Sequence, residues 1–387
     1  MGIIARREFV RLAGAAVAAP MLGRFAQAQA QAQAQPKPDV TLKLHHFFSP
    51  LSSVHARFLV PWAKKIAADS DGRIKIDLFG AMQLGGAPAE LYDQARDGVA
   101  DIVWTLPGMT PGRFRSVEVF ELPFVAGRSA LANATAVQEF ADAGLKEEFR
   151  AVQPLCVCAH DRGLLHVNRP IATLADLKDV RLRASTRLAG EALKALGANS
   201  VSLPLPQVPA AFSNKSLDGC VLPWDAAAAI KLHELVKFHC DVAGTPTLST
   251  STFILAMNRA KYSALAPDLK KVIDDNSGVA AAAMVGRMWD EQAVVIEDMV
   301  RKRGNTVSSL SAEETARWRK ATEPVIETWI ADLKSRYIDG AKLIETARAL
   351  VTKHEATAAA EPAAALAPAS APSSAPAPNC AQWCPSP

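Results

Sequence analysis

Residues 180–203 read VRLRASTRLAGEALKALGANSVSL, and their pattern decides the fold class. Val180–Ala184 is short, apolar at alternate positions and ends at the turn residues Ser185 and Thr186, the signature of a strand. Leu188–Leu196 carries helical spacing and stops at Gly197, the residue that most readily takes the left-handed conformation closing a helix. Val201–Leu203 then resumes as a strand. Strand, helix, strand within 24 residues predicts a parallel or mixed sheet covered by helices.

The same rhythm runs outward in both directions. Upstream, Val40, Leu42 and Leu44 alternate with polar residues up to His45-His46. Ser52 and Ser53 can cap a helix over 54–68, which Pro61 should kink or delay. Ile74, Ile76 and Leu78 form a second alternating strand, Pro88–Asp97 a helix closed by Gly98, and Ala100–Trp104 a third strand. Further strands are expected at Leu155–Ala159, Leu164–Val167, Gly219–Leu222, Val236–Val242 and Thr252–Met257. Cys156 and Cys158 alternate with Leu155 and Val157, which places them on one face of a buried strand rather than in a metal site. Thr173 and Asp176 have capping-box spacing. From Pro267 the pattern is helical to Arg303, and a second helical block, Ser311–Ser335, opens on the capping sequence Ser311-Ala-Glu-Glu314. The expected architecture is α/β: two lobes with mixed sheets flanked by helices, a long helix spanning them, and a helical C-terminal section.

Composition bounds what this fold can do. The chain has 387 residues, 49% hydrophobic and 21% charged, with a formal net charge of +4. Residues 1–38 carry that whole excess and the last 32 residues are −1, so the body is at +1. A near-neutral body lacks the concentrated basic face that nucleic acid requires. The N-terminus joins Arg6-Arg7 and Arg11 to an apolar run, Leu12–Leu22, and Ala-Gln-Ala repeats. This is the pattern of a secretory signal over residues 1–34, with the paired arginines of a twin-arginine signal. The apolar run is about half the ~20 residues a spanning helix needs. Residues 356–387 hold 13 Ala and 7 Pro and read as a disordered tail, ending in Cys380 and Cys384, for which a local disulfide is plausible. The intervening stretch suits two domains. Residues 39–160 are expected to build mainly lobe 1, 161–260 mainly lobe 2, and 261–355 the spanning and C-terminal helices.

Catalytic signatures are absent: there is no Gly-x-Ser-x-Gly elbow, no P-loop and no Gly-x-Gly-x-x-Gly. His233-Glu234 starts like a zinc-protease motif, but Lys237 stands where the second histidine belongs. His45 and His46, adjacent on a strand, point to opposite faces and cannot share a metal. No cofactor or metal is expected, and a metal-assisted hydrolase using His45, His46 or His233 is the minor alternative. Binding, by contrast, needs a polar anchor in a cleft. Arg183 lies at the end of a predicted strand, where open α/β sheets hold their ligands, and its planar fork matches a carboxylate.

Several ordered motifs resemble the solute-binding proteins of tripartite ATP-independent periplasmic (TRAP) transporters, the DctP-like family. They are Leu44-His45-His46 with Ser53-Val-His55, Ser70-Asp-Gly72 running to Phe79 with Gln83-Leu84-Gly85-Gly86, Gly98-Val-Ala-Asp101-Ile102, and Glu121-Leu-Pro-Phe124. Asn168-Arg-Pro170, Asp176-Leu-Lys178, Arg181-Leu-Arg183, Ala195-Leu-Gly-Ala198, Leu217-Asp218-Gly219 and His233-Glu234 through Phe238 complete the series, over roughly 40–350. The resemblance implies a periplasmic protein whose lobes close on a small organic acid, with Arg183 pairing its carboxylate, and delivery to membrane permease subunits. A monomer is expected; a periplasmic sensor partner is the other binding reading.

Two departures shape the expected pocket. Where many members carry a second arginine, this chain has Gly163, with Arg162 one position away and turned to the opposite face as a surface residue. The family's Glu-Asn-Pro after Asp-Gly is here Val221-Leu222-Pro223-Trp224. The pocket is thus expected to be apolar, and an aromatic or branched monocarboxylate its ligand. Trp224, Leu222, Trp104, His46, Phe47, Asp225 and His166 are the candidate site residues beside Arg183.

Overall fold

A computed structural model describes residues 37–360. The expected signal at 1–34, its twin arginines, and the Cys380/Cys384 end lie outside the described residues. The first part of the expected tail does not: residues 356–360 continue the last helix.

Among the described residues, eleven strands form two sheets. The first has the order β2 (Ile74–Phe79), β1 (Val40–His46), β3 (Ile102–Thr105), β10 (Thr252–Met257), β4 (Gln153–Ala159). The second has the order β11 (Thr306–Ser309), β9 (Phe238–Asp241), β5 (Leu164–Val167), β8 (Gly219–Leu222), β6 (Arg181–Ala184), β7 (Asn199–Ser202). In each sheet one strand runs against its neighbours: β10 against β3 and β4, β5 against β8 and β9. Both reversals have the same origin, because the chain crosses from sheet to sheet at β4–β5 and returns at β9–β10. Thr252–Met257 therefore belongs to the first sheet although its sequence neighbours build the second.

Burial follows strand position. On β1, Leu42 and Leu44 are fully buried while Thr41 and Lys43 face solvent. β3 and β10 sit centrally and are buried at every residue, which is why their sequences are continuous apolar runs. Helices α1 (Val60–Asp69), α2 (Leu91–Asp97), α3 (Ala130–Gly144), α4 (Arg187–Ala195) and α5 (Trp224–Ala229) fill the connections, with shorter helical turns between them. Pro61 delays the first of these: residues 54–59 form a wide π-type turn, and the regular helix starts only at Val60, with Pro61 in its first turn.

The two sheets are tied by α6 (Gly278–Lys302), whose 25 residues span about 37 Å. It packs on α3 and β4 of the first lobe and on α5 and β11 of the second. Its Asp290 carboxylate caps α3 by accepting from Ser129 Oγ (2.7 Å), Ala130 N (2.6 Å) and Leu131 N (3.0 Å). Those amides have no partner inside their own helix, and the helix dipole favours an anion there. Gly286, one turn earlier, lets the two helices meet, since a Cβ on it would lie 2.6 Å from Leu131 Cα. Helices α7 (Ala312–Lys334), capped by Ser311 Oγ on Glu314 N, and α8 (Gly340–Ala360) complete the chain.

Because the obstacle at Gly286 is backbone, the Gly286→Ala variant should lose about 1–3 kcal/mol to overpacking. A lowered melting temperature in calorimetry is the expected result; an unchanged one would show that α6 and α3 can separate freely.

Candidate ligand-binding cleft

Arg183 sits where β6 ends, paired across to Val201 on β7 and Cys220 on β8. Its side chain is only 2% exposed. Nε donates to Leu203 O (2.8 Å) and Nη1 to Ser185 Oγ (2.7 Å), which fixes the plane of the guanidinium and leaves its other N–H groups for a partner. No carboxylate among the described residues forms an ion pair with it. Burial accordingly pushes its pKa down to about 10, with only the Cys220 thiol pulling the other way. A desolvated cation without a counter-charge costs several kcal/mol, and such a site favours an anion from outside.

The pocket over Arg183 is walled from both sheets. Phe47 and Phe48 follow β1, Leu106 and Met109 follow β3, His160 follows β4, and Ser251 and Phe253 open β10. Ser185, Leu205, Leu222, Pro223 and Ala226 come from the second lobe. The Phe47 and Phe48 rings stack at 4.2 Å, and Phe253 lies flat on Trp104 at 5.1 Å. Phe47 and Leu222 line the same pocket as Arg183.

The remaining candidates sit elsewhere. Trp104 stands one layer back, behind Phe253, and in contact with Phe58 and Trp289. Trp224 is fully buried against Leu164, Ala293, Ile296 and Val300, with Nε1 donating to Glu297 Oε2 (3.2 Å). An aromatic at the start of α5 packs on the spanning helix instead of facing the ligand. His46 is hydrogen-bonded to His55 (2.9 Å), and burial lowers its pKa to about 3. Asp225 is buried in the first turn of α5 beside the pocket-lining Ala226, and burial pushes its carboxyl pKa up. His166 lies behind the wall: Nε2 bonds Leu222 O (3.0 Å) and Nδ1 bonds His239 Nδ1 (2.7 Å). Both histidines are held neutral by burial, at about 3 and about 4.

Arg162 is not the surface residue that the reversed strand direction predicts. It lies at the crossing between sheets, bonded to Asp241 Oδ2 (2.8 Å) and Glu297 Oε2 (3.3 Å). Arg128 completes the cluster through the same Asp241 oxygen (2.6 Å). Sequence reasoning missed this role because Asp241 and Glu297 are 79 and 135 residues away. It also missed Phe48, His160, Ser251 and Phe253. Only Phe253 carried a usable signal, as an aromatic at the mouth of a predicted strand.

Beyond Arg183 the lobes touch. Arg187 on α4 pairs with Glu118 (2.7 Å), which is buried on the first-lobe turn Val117–Glu121. Glu121, on the same turn, accepts from Thr252 N (3.0 Å) and Oγ1 (2.6 Å), and burial pushes its pKa up to about 7. A carboxyl with a raised folded-state pKa stabilises the fold at low pH and loses that contribution as pH rises through 7. Glu121→Gln keeps the acceptor and removes the titration. Its melting temperature relative to the natural protein should therefore be higher at pH 8 than at pH 5, and a pH-independent difference would contradict this.

Comparison with known proteins agrees with the geometry. The family model for bacterial extracellular solute-binding protein family 7 (DctP) matches residues 44–332. A TRAP solute-binding protein from Rhodoferax ferrireducens, solved with co-purified benzoate, is 41% identical. It superposes with TM-score 0.79, covering 82% of this chain and 99% of that one. A marine metagenome TRAP protein specific for aromatic acid ligands, solved with 3-hydroxybenzoate, is also 41% identical, with TM-score 0.80 over 82% and 100% of the two chains. A Bordetella bronchiseptica TRAP protein holding (R)- and (S)-mandelate is 25% identical, with TM-score 0.75 over 81% and 99%. The chain belongs to the bacterial extracellular solute-binding protein family 7, the periplasmic binding subunits of TRAP transporters, which are not enzymes but capture small organic acids and work with membrane permease components.

Proposed function

We propose that this protein captures an aromatic monocarboxylate, the acid group on Arg183 and the ring among Phe47, Phe48, Phe253 and Leu222. The observation that carries the reading is the buried guanidinium without an internal carboxylate partner. The wall supports an aromatic ligand over a sugar acid, because most of the lining side chains are apolar. The relatives solved with benzoate, 3-hydroxybenzoate and mandelate hold acids of this class. His46, Trp104, Trp224, Asp225 and His166 then shape or support the wall. Export through the Arg6-Arg7 signal, action as a monomer and the lobe boundaries near 160 and 260 are part of the same proposal.

Binding and closure are one equilibrium. The ligand draws the lobes together only by its higher affinity for the closed form. Closure also excludes water, which strengthens the charge pair.

A thermal-shift and calorimetric panel tests the reading, since a ligand of the folded state raises the melting temperature. Benzoate, 3-hydroxybenzoate and mandelate are expected to produce shifts, and isovalerate or galactonate little or none. A dominant response to isovalerate would instead assign a branched acid. Arg183→Ala should weaken binding by about 30-fold or more, the cost of leaving a buried charge unpaired. An undiminished shift in that variant would remove the site.

Closure has its own test. A Cβ on Gly108 would lie 2.8 Å from Thr186 Cγ2 across the cleft, so the lobes approach closely there. Gly108→Val should lower affinity about tenfold. Unchanged affinity would mean that the ligand is held without this contact.

A further inference from the structure

Polar side chains reach the pocket from both lobes. Of its lining residues only Arg183, Ser185, His160 and Ser251 carry polar side chains. The first two belong to the second lobe and bond each other. The other two belong to the first lobe and form one rung, with His160 N donating to Ser251 O (3.0 Å). Phenylalanine, leucine, methionine and proline side chains make up most of the rest of the wall. A plain aromatic acid satisfies the first pair and leaves the second unmatched.

His160 is held in a single orientation. Its ring stacks on Trp289 with centroids 4.0 Å apart, and it is only 3% exposed. Asp161 Oδ1 lies against Nδ1 in a short contact. The Asp161 backbone N also donates to Nδ1 (3.0 Å), so Asp161 holds the ring through Nδ1 alone. Nε2 has no hydrogen-bond partner among the described residues. Asp225 acts on the imidazole through space. The Ser251 hydroxyl likewise has no protein partner among the described residues.

We infer that His160 and Ser251 are specificity-determining residues that read a hydroxyl on the ring of the bound acid. The phenolic hydroxyl hydrogen-bonds both His160 Nε2 and the Ser251 hydroxyl. The ligand class narrows to hydroxylated aromatic monocarboxylates. This rests on the aromatic-acid reading and adds to it a polar contact from the first lobe. Rejecting the unsubstituted acid is effective here because a missing hydroxyl leaves buried polar groups unpaired.

Titration calorimetry with benzoate, 3-hydroxybenzoate and 4-hydroxybenzoate tests the inference through the ratio of affinities. The natural protein should prefer one hydroxybenzoate over benzoate by about tenfold or more. His160→Phe retains a ring against Trp289 and should bring that ratio close to one. Ser251→Ala removes a hydroxyl with no protein partner and should lower the ratio without disturbing the fold, which keeps the test open if His160→Phe unfolds. Arg183→Lys should weaken all three acids and preserve the ratio. Equal affinity for benzoate and both hydroxybenzoates, or a ratio retained in both variants, overturns the inference while leaving the aromatic-acid reading intact. Failure of all three acids to bind the natural protein overturns both.

Discussion

A positive charge taken out of water with no negative charge beside it is the constraint on which this structure depends. Arg183 could have been neutralised by a neighbouring carboxylate, as Arg181 is by Asp218 at 2.7 Å two residues earlier on the same strand. Instead its N–H groups are aimed by a backbone carbonyl and a serine hydroxyl, which orient the fork without cancelling its charge. Residues two apart on a strand share a face, so what separates the two arginines is burial: the Arg181 side chain is 42% exposed beside Asp218, and Arg183 is 2% exposed.

The rest of the fold makes that exposure to a ligand reversible. The lobes are joined where β4 leads to β5, where β9 leads to β10, and along α6. The charges at these crossings are paired: Asp241 takes Arg128 and Arg162, and Glu297 takes Arg162 and Trp224. Asn133 adds a fixed point, bonding the backbone of Gly127 and of His160. At the far rim the contacts include the ion pair between Arg187 and the buried Glu118 and the close approach of Gly108 to Thr186. A hinge bound by many charged hydrogen bonds can hold while the rim opens.

Much of this architecture was legible in the sequence because it rests on local rules. The alternation on β1, the glycine after α4 and the Ser311 cap each declare themselves within a few residues. Helix α3 did not, since it is buried on nearly all sides and carries no amphipathic stripe. The place of Arg183 at a strand end was legible from the strand pattern. Trp224 and Trp104 were aromatic and correctly placed at strand ends, but whether such a ring faces a cavity or the layer behind it depends on packing partners far along the chain. The same is true of Arg162, whose partners come from β9 and α6. His160 gave no signal, being one histidine after a strand. Its significance comes from the stack on Trp289 and from the pocket that closes over it.

The central claim is a position for one functional group, and a crystal structure of the protein grown with benzoate tests it most directly. The account predicts both carboxylate oxygens at about 2.7–3.0 Å from Arg183 nitrogens, with the ring between Phe47, Phe48 and Phe253. A benzoate bound outside this cleft, or one whose carboxylate meets only water and backbone amides, would contradict it.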